Sequence, residues 1–181
     1  MSVYVLFAPP GAGKDTLVDQ LSYMSGFRSV STGQIYREQA NKGTELGLRA
    51  RDEYWGKGMI CPDDMTNNIM QQYLSEINIK SGETLLINGY PRSVAQAKFL
   101  DSIFKIDGLI YLNVSDELAI KRLMIRGRID DQPNIVQKRL EVYHLHANDI
   151  INYYKKSNRI IELDASLKPE EVFHKAFIKI S

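Results

Sequence analysis

The sequence contains a single cysteine, Cys61, among its 181 residues, and this scarcity excludes an internal disulfide and a cysteine-rich zinc site. It also lacks an apolar run long enough to cross a membrane and a basic stretch leading into a signal-peptide core. The formal net charge is only +1, which gives no long-range attraction for nucleic acid or an anionic membrane. We therefore expect a cytoplasmic protein that binds neither, and in which any functional positive charge is local.

Low-complexity segments, fixed-period repeats and long Pro/Ser-rich linkers are also missing, so we expect a single domain. Short apolar segments predict five strands, at residues 2–7, 27–30, 84–88, 109–114 and 159–163. Helical patterns lie between them and begin near Pro62, Ser93, Asp116, Pro133 and Pro169. Because strands alternate with helices and several strands are apolar almost throughout, the sequence predicts an α/β fold with a parallel sheet covered on both faces.

The rest of the chain is organised around a glycine-rich stretch at residues 8–16, APPGAGKDT, called the phosphate loop below. It follows the first predicted strand and opens into a helical pattern, which is the context that a phosphate-binding loop requires. Loop N–H groups and the helix start can bind a phosphate, Lys14 can follow the transferred phosphoryl group, and Thr16 can offer a hydroxyl to magnesium. The alternative is a glycine-rich turn that binds nothing. Gly11 and Gly13, together with Lys14 and Thr16 in this context, argue against it.

Residues 34–60 have no strand pattern and read as two short helices, split near Gly43, inserted between the second and third strands. Five arginines stand beside a glycine or on a helix next to a loop: Arg37, Arg92, Arg126, Arg128 and Arg139. A phosphoryl-transfer enzyme depends on positioning and charge stabilisation more than on reactive side chains. We therefore expect these arginines to gather around the phosphate loop.

The surroundings of these arginines resemble the motifs of adenylate kinases. Residues 31–37, STGQIYR, resemble the family's S-T-G-D-x-x-R segment. Residues 88–93, NGYPRS, followed by Gln96, resemble its D-G-[FY]-P-R-[ST]…Q segment. Residues 127–131, GRIDD, resemble its G-R-x-D-D lid motif, and residues 138–140, KRL, resemble its K-R-L motif. Together with the phosphate loop, these motifs stand in the family's order and cover most of the chain.

The resemblance implies a P-loop NTPase fold, a three-layer α/β/α arrangement with a five-stranded parallel sheet. It divides the single domain into a core, a small helical insertion that binds the nucleoside monophosphate, and a very short lid. The core comprises residues 1–31, 61–126 and 134–181, the insertion about 32–60, and the lid about 127–133. A lid of this length resembles the short-lid type of the family and leaves no room for a zinc-binding module.

The resemblance also assigns roles to individual residues. ATP is expected to contact Pro10, Gly11, Ala12, Gly13, Lys14, Asp15, Thr16, Arg122 and Arg126. AMP is expected to contact Thr32, Gly33, Arg37, Met59, Ile60, Gly89, Arg92, Gln96, Arg128 and Arg139. The residues expected to act in catalysis are Lys14, Arg92, Arg126, Arg128 and Arg139. Thr32 and Gln96 are expected to read the acceptor base, and they favour AMP because the family's pyrimidine kinases usually carry alanine at the first of these positions.

Four positions depart from the family pattern. Ala8 replaces a glycine, which would strain the turn if that residue needed a positive φ. Gln34 and Asn88 replace two aspartates that hold magnesium-bound waters in the family, and an amide brings no charge to attract the ion. Asp15 replaces the glycine after the lysine. It either restores a negative group near the metal or only complements the helix dipole.

The activity implied by the resemblance is magnesium-dependent, reversible transfer of a phosphoryl group, ATP plus AMP giving two ADP, by a monomer. Two alternatives remain open: a kinase for another nucleoside or deoxynucleoside monophosphate, and a catalytically weakened relative that only binds nucleotides. A P-loop motor on nucleic acid is disfavoured by the short chain and the absence of a basic face. Trp55 is predicted either to pack within the insertion or to border the acceptor site. The histidines are predicted to be surface or core residues and not metal ligands: His144, His146 and His174.

Overall fold

Five parallel strands form the central sheet of the computed structural model, which describes residues 1–77 and 80–181. The strands are β1 (Ser2–Phe7), β2 (Arg28–Ser31), β3 (Thr84–Asn88), β4 (Gly108–Asn113) and β5 (Ile160–Asp164). Their order across the sheet is β2-β3-β1-β4-β5, and every neighbouring pair is parallel. Each strand lies within one residue of the predicted bounds, and the predicted α/β fold is confirmed.

Eight α-helices belong to the described part of the chain. They are α1 (Lys14–Ser25), α2 (Thr32–Asn41), α3 (Glu45–Arg49), α4 (Asp63–Glu76), α5 (Val94–Ile103), α6 (Asp116–Arg126), α7 (Pro133–Lys155) and α8 (Pro169–Ile180). Three begin after a serine whose hydroxyl accepts a hydrogen bond from a helix N–H: Ser31, Ser93 and Ser115. Two others begin at a proline, whose missing N–H is not needed there. α4 ends at Glu76, and Ile77 follows it in an extended conformation.

The sheet is covered by hydrophobic residues on both faces. Along β3, which is buried at every position, Leu85 and Ile87 belong to one core cluster and Leu86 to the other. The first cluster joins the sheet to α4, α5 and α7, and the second joins it to α1 and α8. Because successive residues of a strand point to opposite faces, one apolar run supplies both cores. The three-layer arrangement follows directly from this.

The segment between β2 and α4 is helical, as predicted, but its winding changes along its length. Two helices, α2 and α3, are separated at Gly43 and are followed by a π-helical turn at Ala50–Tyr54 and a 3-10 turn at Trp55–Lys57. Gly47 in α3 packs directly on the backbone of α2, where a β-carbon would overlap Gln39 and Ala40. The insertion therefore stays compact because its helices approach each other closely at a glycine.

The carboxyl ends of the strands bring three loops together. Leu6 of β1 and Ser31 of β2 both pair with Asn88 at the end of β3. The phosphate loop, the start of α2 and the loop at residues 89–92 therefore leave the sheet side by side. Ligands of open parallel sheets bind beyond this edge. Among the described residues, no helix combines the length and apolar character needed to span a bilayer.

Candidate functional site

A cavity of about 730 Å³ opens beyond the carboxyl ends of β1, β2 and β3. Every residue predicted for the site lies on its wall. The residues predicted to contact ATP are Pro10, Gly11, Ala12, Gly13, Lys14, Asp15, Thr16, Arg122 and Arg126. The residues predicted to contact AMP are Thr32, Gly33, Arg37, Met59, Ile60, Gly89, Arg92, Gln96, Arg128 and Arg139. The structure thus brings together residues that are up to 129 positions apart along the chain, Pro10 and Arg139 being the most distant.

The phosphate loop is a turn closed by its own backbone. The N–H of Ala12 donates to the carbonyl of Pro9 at 3.3 Å, and the conformation requires positive φ at Gly11 and Gly13, 86° and 93°. A β-carbon at Gly11 would overlap the carbonyl of Ala119 in α6, so this glycine also permits close packing. Ala8 does not adopt a positive φ. Its replacement of the usual glycine therefore leaves the turn unstrained.

Lys14 lies over the loop that precedes it. Its Nζ donates to the carbonyl oxygens of Ala8 and Pro9, at 3.0 and 3.1 Å. Burial, and then the nearby charge of Arg92, lower the pKa of the Lys14 ammonium from 10.5 to about 7. An anion in the cavity would oppose both effects and would favour the protonated form. A bound phosphate would therefore stabilise the charged form of Lys14, which the surrounding protein destabilises.

Asp15 connects the phosphate loop to the end of β3 and to the lid. Its carboxylate accepts a hydrogen bond of 2.8 Å from Nδ2 of Asn88 and one of 3.3 Å from the guanidinium of Arg128. Burial would raise the pKa of this carboxyl, but the Asn88 bond and the charges of Lys14 and Arg128 outweigh it and lower the pKa. Asp15 is therefore an anion inside a cavity that otherwise favours anionic ligands. Thr16, the predicted magnesium-binding hydroxyl, is exposed beside it.

On the acceptor side, the carbonyl oxygen of Gly89 receives two donors. The hydroxyl of Thr32 donates to it at 2.8 Å and Nε of Arg92 donates at 2.9 Å. Gly89 has a φ of 78°, and a β-carbon there would lie 2.7 Å from the Thr32 hydroxyl oxygen. This contact fixes the start of α2 against the loop after β3. It also fixes the position of the Arg92 guanidinium.

Gln96 is fully buried and its amide is bonded at both ends. Its Oε1 accepts from the backbone N–H of Arg92 at 2.7 Å, and its Nε2 donates to Asp63 at 2.8 Å. The side chain thus supports the Arg92 loop, a structural role that the motif did not reveal. Its predicted contact with the acceptor base stays a prediction.

The lid arginines are paired with acids. Arg126 donates two hydrogen bonds to Asp131, at 2.6 and 2.9 Å, and Arg139 donates to Asp130 at 3.0 Å and to Asp131 at 3.3 Å. Burial would raise the pKa of Asp131, yet the bonds from Arg126 and from the Arg128 N–H outweigh it and lower the pKa. The motif G-R-x-D-D thus provides counter-charges for arginines that precede and follow it.

Positive charge nevertheless dominates the wall of the cavity. Seven basic side chains line it: Lys14, Arg37, Arg92, Arg122, Arg126, Arg128 and Arg139. Three acidic side chains line it: Asp15, Asp19 and Asp130. Arg92 reaches water through the cavity, but the protein around it removes enough solvent to lower the pKa of its guanidinium, and the charge of Arg139 adds to this. Like charges held this close indicate a polyanionic ligand.

Arg122 and several uncharged residues complete the wall. Arg122, expected to contact ATP, donates to the carbonyl of Ala165 at 2.8 Å and so joins α6 to the end of β5. Trp55 lines the cavity and also packs against the core, so both readings of this residue describe part of its environment. Cys61 is buried, and its burial raises the pKa of the thiol.

Sequence reasoning gave no role to several further wall residues, among them Tyr36, Asp130, Tyr143 and His146. Asp130 could have been found, since an acid inside an arginine-rich motif is the natural partner of those arginines. The other three lie on helix faces that carry no local signal for a site. Among residues 1–77 and 80–181, no group of histidines, cysteines and acids has the arrangement of a metal centre.

Comparison with known proteins identifies relatives of the whole chain. A sequence model of a family, described as "Adenylate kinase", matches residues 6–159. The adenylate kinase of Corynebacterium urealyticum is 35% identical over 173 residues, covering 93% of each chain. The adenylate kinase of Thermosipho melanesiensis is 33% identical, covering 93% of this chain and 94% of the relative. Adenylate kinase 1 of a Nostoc species is 31% identical over 179 residues, covering 96% of each chain.

Proposed function

Because the chain belongs to the adenylate kinase family, whose members are phosphotransferases, we propose that it transfers the γ-phosphoryl group of ATP to AMP and yields two ADP. The observation that best supports this reaction is the convergence of Lys14 with six arginines on one cavity at the phosphate loop. Two nucleotides that carry several negative charges need this excess of cations. The reaction itself needs few other side chains.

In the proposed reaction, an oxygen of the AMP phosphate attacks the γ-phosphorus in line with the bond that breaks. A new P–O bond forms to AMP, and the electron pair of the broken bond stays on the β-phosphate of the departing ADP. The attacking group is already an anion, so no side chain has to remove a proton. Arg37 and Arg92 hold this phosphate, because a guanidinium binds two phosphate oxygens with its planar fork.

The lid arginines stabilise the migrating phosphoryl group. Arg126, Arg128 and Arg139 are paired with carboxylates in the structure, and phosphate oxygens can replace those carboxylates with similar geometry. Holding donor and acceptor in line contributes about 7–11 kcal/mol in favourable cases. Closing the cavity also excludes water that would otherwise hydrolyse ATP.

Magnesium fits the oxygen donors at the start of α1. Mg²⁺ prefers oxygen ligands and usually takes one or two carboxylates, with phosphates and waters completing its shell. Here the carboxylate of Asp15 lies beside the hydroxyl of Thr16, and Oδ1 of Asn88 is buried without a hydrogen-bond partner. These residues would hold the ion. When bound, Mg²⁺ neutralises charge on the β- and γ-phosphates.

AMP is the acceptor that we propose, on the basis of Thr32 and Gln96. The test is ADP formation from ATP with each nucleoside monophosphate and deoxynucleoside monophosphate, across a magnesium titration. We expect AMP to give the highest kcat/KM and turnover to require magnesium. A higher kcat/KM for another acceptor would replace AMP by that acceptor. Saturable ATP binding without turnover, at any magnesium concentration, would overturn the kinase activity.

The remaining features of the chain are also proposals. We propose a single domain with a core (1–31, 61–126, 134–181), an insertion (32–60) and a lid (127–133). The protein acts as a cytoplasmic monomer on small nucleotides and not on nucleic acid or membranes. Sedimentation of the purified chain tests the monomer, since a dimer would double the measured mass.

A further inference from the structure

The residue directly after the phosphate-loop lysine is an aspartate with an unusual position. In phosphate loops of the pattern G-x-x-x-x-G-K-[ST], the side chain at this point contacts Mg²⁺ through a hydroxyl. Here the position is held by Asp15, one residue before the threonine assigned to the metal from sequence. The Asp15 carboxylate points across to the end of β3, where Asn88 donates to it at 2.8 Å.

The other end of the Asn88 amide provides an independent sign of a missing ligand. Asn88 is 3% exposed and lines the cavity, and its Oδ1 is buried with no hydrogen-bond partner. The bond from Nδ2 to the Asp15 carboxylate fixes which end of the amide is the oxygen. A buried acceptor without a donor costs about 1–3 kcal/mol. A water held by a cation beside Asp15 would supply that donor.

A carboxylate beside the phosphates of ATP needs a cation between them. In the structure Arg128 provides positive charge, but its guanidinium is 3.3 Å from Asp15 and both side chains are more than a third exposed. A pair this long and solvated is weak. Once Arg128 turns to the transferred phosphoryl group, Asp15 and the phosphates are left to repel each other unless a metal ion joins them.

We propose that Asp15, supported by Asn88, is the protein carboxylate that holds the Mg²⁺ of bound ATP. Asp15 attracts the ion and Asn88 accepts a hydrogen bond from one of its waters. The inference rests on the proposed function, since it concerns the metal that accompanies the donor nucleotide. In this proposal the acidic group of the metal site belongs to the phosphate loop, whereas the family motif has it at the end of a strand, at the position of Asn88.

A competing explanation is that Asp15 only tethers the lid through Arg128 or complements the dipole of α1. The two explanations differ in their effect on binding. A tether competes with phosphate, so removing it tightens nucleotide binding equally with and without magnesium. A metal-binding carboxylate strengthens nucleotide binding when magnesium is present and weakens it, by repelling the phosphates, when magnesium is absent.

The test is calorimetric titration of the enzyme with the non-hydrolysable β,γ-imido analogue of ATP, in excess magnesium and in excess EDTA. The measured quantity is the ratio of the two dissociation constants, which reports the magnesium preference without any turnover. We expect Asp15→Asn to reduce this ratio about tenfold, the smaller loss seen when partners of a metal site are changed. Asp149→Asn is the matched control, because Asp149 is exposed on α7 and does not line the cavity.

A second variant has its carboxylate at the end of β3 instead of in the phosphate loop. Asp15→Gly combined with Asn88→Asp should recover most of the magnesium preference that Asp15→Gly alone loses. An unchanged ratio in Asp15→Asn, or equal losses in Asp15→Asn and Asp149→Asn, overturns the inference and leaves the kinase intact. Equal binding of both nucleotide forms by the wild-type chain also overturns it. Failure of the wild-type chain to bind either form contradicts the proposed function itself.

Discussion

The carboxylate of Asp131 lies between Arg126 and Arg139 and accepts hydrogen bonds from both. It also accepts one from the backbone N–H of Arg128 at 2.9 Å, and only 1% of its side chain is exposed. One carboxylate therefore joins the end of α6, the lid and the first turns of α7. Removing its charge should affect stability and closure together.

We expect Asp131→Asn to lower the free energy of unfolding by about 2 kcal/mol, because the amide keeps one acceptor and leaves Arg126 without the carboxylate that it pairs with, whereas Arg139 keeps Asp130. The value is at the low end for a buried pair, since Arg126 remains partly solvated. Urea unfolding followed by circular dichroism measures it. Asp52→Asn, which alters the exposed pair with Arg51, is the control and should leave stability unchanged.

The stability difference between the wild type and Asp131→Asn should also depend on pH. The folded-state pKa of Asp131 is lowered, so its contribution is fully present above the unfolded value of about 3.9 and is lost as pH falls toward the folded value. The stability difference between wild type and Asp131→Asn should therefore be constant near neutral pH and shrink in acid. A difference that grows in acid contradicts the pairing.

Nucleotide binding should take up a proton at Lys14. Its pKa is about 7 in the free protein, and a bound phosphate raises it again. Affinity for metal-free ATP should therefore lose up to about tenfold for each pH unit above 7, and Lys14 should cause no such loss below it. Calorimetry at pH 8 in buffers of different ionisation enthalpy measures the uptake.

The control for proton uptake is Lys57→Met, which changes an exposed lysine and should keep the wild-type uptake. Lys14→Met should abolish it. Equal uptake in wild type and Lys14→Met would assign the proton to another group.

Gly89→Ala should damage the acceptor side specifically. The added β-carbon would lie 2.7 Å from the Thr32 hydroxyl oxygen and would displace a contact that also positions Arg92. We expect kcat/KM for AMP to fall at least about tenfold, since a charge-assisted contact is worth about 1.5–3 kcal/mol. Gly43→Ala has the same kind of positive φ, 71°, but open space around it, and should keep the activity of the wild type. Equal losses in the two variants would assign the effect to backbone strain alone.

Arg92→Lys should change the KM for AMP much more than the KM for ATP. Lysine keeps the charge but loses the fork and the Nε bond to Gly89, so the KM for AMP should rise about tenfold or more while the KM for ATP changes little. Steady-state kinetics with each substrate varied measures the split. Arg49→Lys, on an exposed helix face, is the control. A larger rise in the KM for ATP than for AMP would show that Arg92 binds the donor nucleotide and not the acceptor.

The strands and most helix starts were predictable because their signals are local. An apolar run bounded by polar residues marks β3, and Ser93 or Pro133 marks the start of a helix within a residue or two. The π-helical turn at Ala50–Tyr54 was not predictable, since its winding depends on how the insertion packs. The arginines were selected from their places beside glycines and loops and from the resemblance to adenylate kinase motifs, and all five lie on the cavity wall.

Partnerships between distant residues were beyond the sequence. Gln96 bonds to Asp63, which is 33 positions away, because the fold brings those groups together and no periodicity records it. The same holds for the hydrogen bond between Asp15 and Asn88, which are 73 positions apart. The sequence predicts that both residues lie near the phosphates, but only the structure shows the hydrogen bond between them.

The connection between α6 and α7 leaves little slack for independent movement. α6 ends at Arg126, α7 begins at Pro133, and the carboxylate of Asp131 accepts hydrogen bonds from an arginine of each helix. We therefore expect the short connection to move together with the adjoining ends of both helices, and not as a separate flap, when substrates enter and products leave.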